Sequence, residues 1–392
     1  MGAGEKYIQI AEPFTGPEEA EAVREVLAGG WLTQGPRVKA FEEAFAARHQ
    51  VKHALACTSG TTALHLALLA LGVGPGDAVI VPSFTWAATA NAVEYCGARP
   101  VFCDSRTEDY NLDPERLEET LDRLAREGIR AKAVIMAHMF GLMGDLRALD
   151  ALADRWGFKV VEDAACAAGA ALAGRPAGSW GAVGCFSFHP RKILTTGEGG
   201  MCLTDDDEAA ELMASLRNHG ASSSAAQRAG GGPFLMADFE VLGYNYRMCD
   251  LQGAVGECQL RRLDRMIAER RAMAAFYDRA LAGLDWFVRP RVPAGYDHSW
   301  QAYVGLVQTG PGGLSRDEIM ARLHAAGIGS RAGTHAIHEL GYYRDKYGLR
   351  TGDFPVAAAL HALTLSLPLH NKMTRADQER VVTTLIKIGA DA

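Results

Sequence analysis

An acid and a lysine, Asp163 and Lys192, stand 29 residues apart, each just past a short apolar run that reads as a buried strand. The first run ends in Val160-Val161-Glu162-Asp163-Ala164-Ala165. The second reads Phe186-Ser187-Phe188-His189-Pro190-Arg191-Lys192 and leads into Thr195-Thr196-Gly197-Glu198-Gly199-Gly200. A lysine amine can form a Schiff base with an aldehyde. A carboxylate can keep a pyridine nitrogen protonated, so that the ring accepts electrons. Together these groups are what pyridoxal phosphate (PLP) chemistry needs. Glu162 competes with Asp163 for the acid's role. In an extended strand the two point to opposite faces. The plain alternative for Asp163 is a helix N-cap. Its place at the strand's end favours it over Glu162.

Further candidates surround this pair. Thr58-Ser59-Gly60-Thr61-Thr62 joins a strand to a helix, and hydroxyls and N–H groups at a helix N-terminus suit a phosphate. Ser187, five residues before Lys192, adds a hydroxyl. Trp86 follows Pro82-Ser83-Phe84-Thr85 and is the candidate to stack on a pyridine ring, with Phe84 competing. In Gly243-Tyr244-Asn245-Tyr246-Arg247-Met248, Asn245 and Arg247 read as phosphate or substrate contacts. His189, beside the lysine, is a substrate candidate. No metal site is expected.

These residues need a frame. Strands are expected at 53–57, 78–82, 100–103, 132–138, 158–162, 183–188 and 199–203. Helices are expected at 61–71, 86–96, 114–127, 145–156 and 207–217. The alternation implies an α/β fold whose mostly parallel, seven-stranded sheet carries helices on both faces. Ligands in such sheets sit at the carboxyl ends of strands. Thr58-Ser59-Gly60, Ser83, His138, Asp163 and Ser187 all fall there and should line one crevice. Residues 219–240, rich in Gly, Ala and Ser, read as a mobile loop and candidate lid. A long helix is expected at about 250–282. A smaller α+β domain follows, with a strand at 300–308 and helices at 315–326 and 374–388. The expected division is a large domain over 1–250 and a small one over 251–392, with the N-terminal segment packing on either.

Length and charge narrow the function. A chain of 392 residues, 48% hydrophobic, can bury a large core. The net charge of −7 comes without charged blocks, and the arginines between 261 and 271 fall in a helical pattern, so no nucleic-acid partner is expected. The start MGAGEKYIQIAEPF lacks a signal peptide's form, and no apolar run reaches membrane-spanning length. A cytoplasmic protein without a membrane partner is expected. The eight cysteines contain no C-x-x-C, so structural disulfides and zinc are not expected.

Taken together, these residues resemble the DegT/StrS-type sugar aminotransferases of the aspartate-aminotransferase superfamily, PLP enzymes of fold type I. The resemblance runs nearly end to end. It rests on Gly30-Trp31-Leu32-Thr33-Gln34-Gly35-Pro36, Ser59-Gly60-Thr61, Pro82-Ser83-Phe84-Thr85, Glu162-Asp163-Ala164-Ala165, Phe186 to Lys192, Thr196-Gly197-Glu198-Gly199-Gly200 and Tyr244-Asn245-Tyr246-Arg247-Met248.

It implies that Lys192 carries the cofactor and shuttles protons, that Asp163 binds the pyridine nitrogen, and that Trp86 stacks on the ring. Ser59, Gly60, Thr61 and Ser187, with Thr58 beside them, would hold the phosphate. Asn245 would reach the phosphate of the neighbouring subunit's site, which implies a homodimer. Trp31, Thr33 and Gly35, with His335 and His338, would shape the substrate pocket. The implied reaction moves an amino group, from glutamate, to a keto group of a nucleotide-linked deoxysugar.

Two departures stand out. Many relatives read EDAAQAHGA where this chain has Glu162-Asp163-Ala164-Ala165-Cys166-Ala167-Ala168-Gly169-Ala170. Cys166 thus takes a position near the cofactor ring that is otherwise Gln. The stretch Gly333-Thr334-His335-Ala336-Ile337-His338 also differs from the perosamine-type loop. A keto-cyclitol acceptor is the alternative. A sugar 3-dehydratase would have histidine in place of Lys192, and a non-catalytic relative would lack Lys192 or Asp163.

Overall fold

A computed structural model of the chain describes residues 6–222, 237–308, 310 and 313–390. Residues 223–236, the centre of the stretch read as a lid, lie outside them. The first half of the chain supplies ten strands. They are β1 (His53–Cys57), β2 (Ala78–Pro82), β3 (Phe84–Thr85), β4 (Arg99–Cys103), β5 (Ala131–Ala137), β6 (Lys159–Asp163), β7 (Ala171–Leu172), β8 (Arg175–Pro176), β9 (Val183–Ser187) and β10 (Gly200–Thr204). Seven of them form one sheet in the order β1-β10-β9-β6-β5-β2-β4. Within it only β10 runs against the others.

Strands buried on both faces read as unbroken apolar runs, and Ala78-Val79-Ile80-Val81-Pro82 is buried at every position. One face packs on the helices Gly60–Ala70, Ala87–Tyr95 and Asp207–Leu216 through residues such as Leu64, Ala90 and Met213. The other packs on the helices Pro36–His49, Pro114–Arg126 and Leu146–Trp156 through Phe41, Leu121 and Leu149. The expected elements therefore appear within a residue or two of their expected bounds.

The remaining strands are β11 (Phe287–Val288), β12 (Tyr296–Asp297), β13 (Tyr303–Val307), β14 (Arg331–Ala332), β15 (His335–Ala336) and β16 (Thr364–Leu367). An antiparallel sheet, β11-β13-β16-β14, has its own core with the helices Arg316–Ala325 and Arg375–Ala390. This is the smaller α+β portion. Ile8 pairs with Ile328 and is buried in that core, whereas Phe14 packs on the large one, so the N-terminal segment touches both.

The helix Asp250–Ala280 links the two cores: Leu263, Met266 and Ile267 belong to the large one, Ala274 and Tyr277 to the small one. Between them, Arg270 is 3% exposed and meets no carboxylate among the described residues. It donates instead to the carbonyls of Trp300 (3.1 Å), Gln301 (3.3 Å) and Leu369 (2.9 Å) and to Asn371 Oδ1 (2.8 Å). Burial pushes its pKa down to about 10, which still leaves it charged at neutral pH. Two short pairings, β15 with β3 and β12 with β7, also cross between the two portions. Among the described residues no helix is long and apolar enough to cross a membrane.

Close packing inside the sheet gives a direct test. A Cβ at Gly184 of β9 would lie 2.3 Å from the Gly178 carbonyl oxygen, a backbone atom that cannot swing away. Gly184→Ala should cost about 1–3 kcal/mol, the usual range for overpacking. Gly352→Ala, with nothing within 4 Å of its Cβ, should leave stability unchanged. Urea denaturation midpoints of the two variants check the contrast.

Candidate active site

The strand ends converge as the sheet register requires. Cys57 lies opposite Gly200, Gly200 opposite Ser187, Cys185 opposite Asp163, and Asp163 opposite Ala137. Thr58, Ser187 and Asp163 therefore leave the same end of the sheet.

Neighbouring residues of β6 take opposite faces, and the acids at 162 and 163 divide accordingly. The Glu162 carboxylate is fully buried. It accepts from the backbone N–H groups of Gly178 (2.7 Å), Trp180 (2.7 Å) and Gly181 (2.8 Å), and from His138 Nε2 (2.8 Å). Gly144 N donates to His138 Nδ1 at 3.2 Å, so the histidine carries its proton on Nε2. Burial opposes ionisation of Glu162, but the His138 hydrogen bond, with the Gly181 and Gly178 N–H groups, outweighs it. The net pKa lies below the usual 4.5. Glu162 is thereby fully occupied. Asp163, 8% exposed, accepts from Thr89 Oγ1 at 2.7 Å and from Ala165 N at 3.2 Å.

The expectation that Ser83 and His138 line the crevice is not met. Both are buried, Ser83 against His338 Nδ1 at 2.6 Å and His138 against Glu162. The backbone leaves each strand as expected, but the alternation turns these side chains inward.

Lys192 sits in a loop closed on itself. Phe188 N donates to Gly199 O (2.8 Å), Thr196 N to Phe188 O (3.0 Å), and Thr195 Oγ1 to Phe188 O (2.9 Å). Gly197, at φ +85°, makes a turn that other residues rarely adopt. Gln301 clamps the loop from outside. Its Oε1 accepts from Ile193 N at 3.0 Å and its Nε2 donates to Arg191 O at 2.5 Å. The Lys192 amine donates to Cys166 Sγ at 3.0 Å and meets no carboxylate among the described residues.

Thr58, Ser59, Gly60 and Thr61 start the helix Gly60–Ala70. Ser59 Oγ caps it, accepting from Thr62 N at 3.1 Å. The Gly60 and Thr61 amides have no carbonyl to meet within the helix. A Cβ at Gly60 would lie 2.7 Å from Ser187 Cβ, so glycine lets the Ser187 strand end approach. Open amides framed by hydroxyls are a fitting cradle for a phosphate. Trp86 is 59% exposed and tilts against His335, 5.5 Å between ring centres, whereas Phe84 is wholly buried. Of the two aromatics only Trp86 can offer a face to a ligand. Burial, with His361 and Arg331 nearby, holds His335 below its ordinary pKa and hence neutral at pH 7. An amine without a counter-charge, a pinned carboxylate, a phosphate cradle and an open indole are a donor set that fits PLP.

The other candidates fall elsewhere. His338 is wholly buried. His189 is half-exposed, with Glu198 3.9 Å away, and burial lowers its pKa. Arg247 donates to Asn218 Oδ1 at 2.8 Å and its backbone pairs with Cys57, while Asn245 is exposed. Trp31 and Thr33 are exposed on a loop whose end, Gly35, is held by the buried Asp250. That carboxylate accepts from the N–H groups of Gly35 (2.8 Å), Arg37 (3.2 Å) and Val38 (3.0 Å). Sequence reasoning missed Thr89, Asp250 and Gln301. Only Thr89 had a local signal, as the first-turn hydroxyl of the helix opened by Trp86. A cleft of ≈ 630 Å³ opens beside β4 between Arg99, Arg123 and Phe354, and none of the candidate residues lines it.

The chain is similar to known proteins along nearly its whole length. The model of the DegT/DnrJ/EryC1/StrS aminotransferase family matches residues 13–386. The GDP-perosamine synthase of Caulobacter vibrioides is 39% identical over 384 residues, 97% of this chain and 98% of that one. A DegT DnrJ EryC1 StrS aminotransferase from Brucella abortus superposes with a TM-score of 0.86 at 33% identity, covering 95% of each chain. The PMP-form of a putative sugar aminotransferase, Spr1654 of Streptococcus pneumoniae, superposes with a TM-score of 0.90 at 27% identity, covering 98% of this chain and 99% of that one. The chain belongs to the DegT/DnrJ/EryC1/StrS aminotransferase family and is a PLP-dependent aminotransferase of fold type I.

The Glu162 cluster carries a pH signature. Its folded pKa lies below its unfolded one, so its stabilisation is present above about pH 4.5 and lost as pH falls through the folded value. Glu162→Ala should lose about 3–5 kcal/mol at pH 7, since it strips a buried histidine and three N–H groups of their acceptor. The deficit should shrink on acidification below pH 4, which thermal melts across pH will show.

Proposed function

We propose that this aminotransferase moves an amino group from L-glutamate to the keto group of a nucleotide-linked deoxysugar, working as a cytoplasmic homodimer. The observation that carries the reading is the Lys192 amine, which meets no carboxylate among the described residues, beside Cys166 at the end of the sheet where Asp163 emerges. Support for the acceptor comes from the relatives' names: a GDP-perosamine synthase, and Helicobacter pylori PseC, named as involved in pseudoaminic acid biosynthesis.

Bound PLP would supply an aldehyde to capture amines and a ring to hold electrons during proton shifts. The chain's own residues do the rest. Lys192 would anchor the cofactor and, once displaced by the incoming amine, carry the proton between substrate carbon and cofactor. The hydrogen bond to Cys166 Sγ orients its Nζ. Asp163 would keep the ring nitrogen protonated, steadied by Thr89 and Ala165 N. The Gly60 and Thr61 amides, with the hydroxyls of Thr58, Ser59 and Ser187, would hold the phosphate, and Trp86 would cover one ring face. Asn245, exposed on the surface, would complete the partner subunit's phosphate site. Trp31, Thr33, Gly35, His189, Arg247 and His335 would border the substrate. His338 would act from beneath, through Ser83.

Two experiments test this. After borohydride treatment with PLP, peptide mass spectrometry should find a phosphopyridoxyl group on residue 192 and none in Lys192→Ala. A label on another lysine would overturn the assignment. Asp163→Ala should slow single-turnover release of 2-oxoglutarate from glutamate about 10²–10⁴-fold. Offered nucleotide-linked keto deoxysugars and keto-cyclitols side by side, the enzyme should aminate the former. Amination of the cyclitol alone would refute the acceptor.

A further inference from the structure

Two buried hydroxyls stand in a row behind Asp163. Thr85 ends β3, and Thr89 lies in the first turn of the helix Ala87–Tyr95. Thr85 is 2% exposed and Thr89 is wholly buried. Thr89 Oγ1 donates to Asp163 Oδ2 at 2.7 Å and lies 3.1 Å from Thr85 Oγ1.

A hydroxyl has one hydrogen to give. Thr89 gives its own to the carboxylate, so the hydrogen between the two threonines comes from Thr85. The row therefore has a single direction, from Thr85 through Thr89 to Asp163, and each donor polarises the next. The other carboxylate oxygen, Oδ1, accepts from Ala165 N at 3.2 Å. Each oxygen thus has a donor and keeps a lone pair open.

Local structure frees the Thr89 hydrogen for this use. A helical threonine can turn its hydroxyl back to the carbonyl four residues earlier. For Thr89 that carbonyl is Thr85 O, which accepts instead from Thr334 Oγ1 at 3.1 Å. β15 runs beside β3 there, with His335 opposite Thr85 and Ala336 opposite Phe84. The backbone of Thr85 is therefore seated by the segment that leaves the small sheet.

We propose that Thr85 and Thr89 form a hydroxyl relay that aims Asp163 at the cofactor ring, with Thr85 a positioning residue that sets which way the Thr89 hydrogen points. The inference rests on the reading that Asp163 meets the ring nitrogen, and it extends that contact to a residue that touches neither cofactor nor carboxylate. Through Thr85 the hold on the ring also depends on the β3–β15 pairing that borders the substrate.

Full-length protein stripped of cofactor should be titrated calorimetrically with pyridoxamine phosphate, which reads the hold on the ring without a covalent bond to Lys192. Thr89→Val should bind it about 3- to 10-fold more weakly, the weight of one hydrogen bond. Thr85→Val should fall between that variant and the wild type, and Thr89→Ser should recover. Thermal melts separate this hold from folding. Thr89→Val strands the Thr85 hydrogen and should melt lower. The double variant, apolar in the same shape, should regain the melting temperature but not the affinity. In the PLP-loaded proteins the maximal single-turnover rate with glutamate should fall in the same order while its KM holds. Affinity unchanged in Thr89→Val, affinity that merely follows the melting temperature, or a Thr85→Val variant that binds like the wild type each overturns the proposal. Weaker binding in Asp163→Ala without any in Thr89→Val overturns the relay alone. Unchanged binding in Asp163→Ala refutes the ring-nitrogen reading and the relay with it.

Discussion

The site rests on a carboxylate that never touches a ligand. Glu162 lies wholly inside the sheet and gathers three backbone N–H groups and a histidine onto its two oxygens. A buried charge survives only when so completely satisfied. The donors come from the end of β5 and from the turn leading into β9, so one side chain fixes three adjacent parallel strands at their carboxyl ends. Because strand residues alternate, anchoring Glu162 on one face leaves Asp163 no choice but the other. There the Thr89 hydroxyl and Ala165 N hold its oxygens. The orientation of Asp163 is thus inherited from its neighbour in the strand.

A second constraint acts from the opposite side. Arg270, in the middle of the long helix, draws the carbonyls of Trp300, Gln301 and Leu369 together. The Gln301 side chain then clamps the loop on both sides of Lys192. The same helix begins at Asp250, whose carboxylate caps the helix Pro36–His49 and ties down the Trp31–Gly35 loop. One element therefore positions the lysine loop and a candidate substrate loop. It does so with groups whose chemical variety in sequence, an acid here and an arginine there, signals neither role.

Lys192, Asp163 and the Ser59–Gly60 turn were legible because each follows a short apolar run, and the ends of parallel strands are where such folds expose polar groups. Trp86 prevailed over Phe84 for a reason sequence does not contain: Phe84 enters the core with Phe140, Tyr110 and Ala336, and the next turn faces out. Ser83 and His138 were misplaced for a related reason. Strand position locates a backbone, but the side chain at an exit goes wherever a buried partner waits. The helices Pro17–Gly29 and Pro36–His49 escaped notice because the partners of their apolar positions, the long helix and, for Phe41 and Phe45, the Phe186 and Phe188 rings, are distant in the chain. Long-range partners of this kind, Asp250 for Gly35 or Gln301 for Ile193, leave no local spacing to read.

Cys166 shows how such a frame tolerates change at the reacting centre. The family pattern that the chain resembles has a glutamine there. This chain offers a thiol, a weak acceptor, to the Lys192 amine. The backbone at 166 does not depend on that side chain. Its carbonyl is held by Ser299 Oγ at 3.4 Å, on the same turn whose Gln301 clamps residues 191 and 193. The backbones at 166 and around 192 are thus both held by side chains of one turn, Ser299 and Gln301. The atom facing the amine can therefore vary without moving the amine. A carboxylate at 166 would pair with Lys192 and hold it as an ammonium. A thiol offers the amine a weak acceptor and no counter-charge.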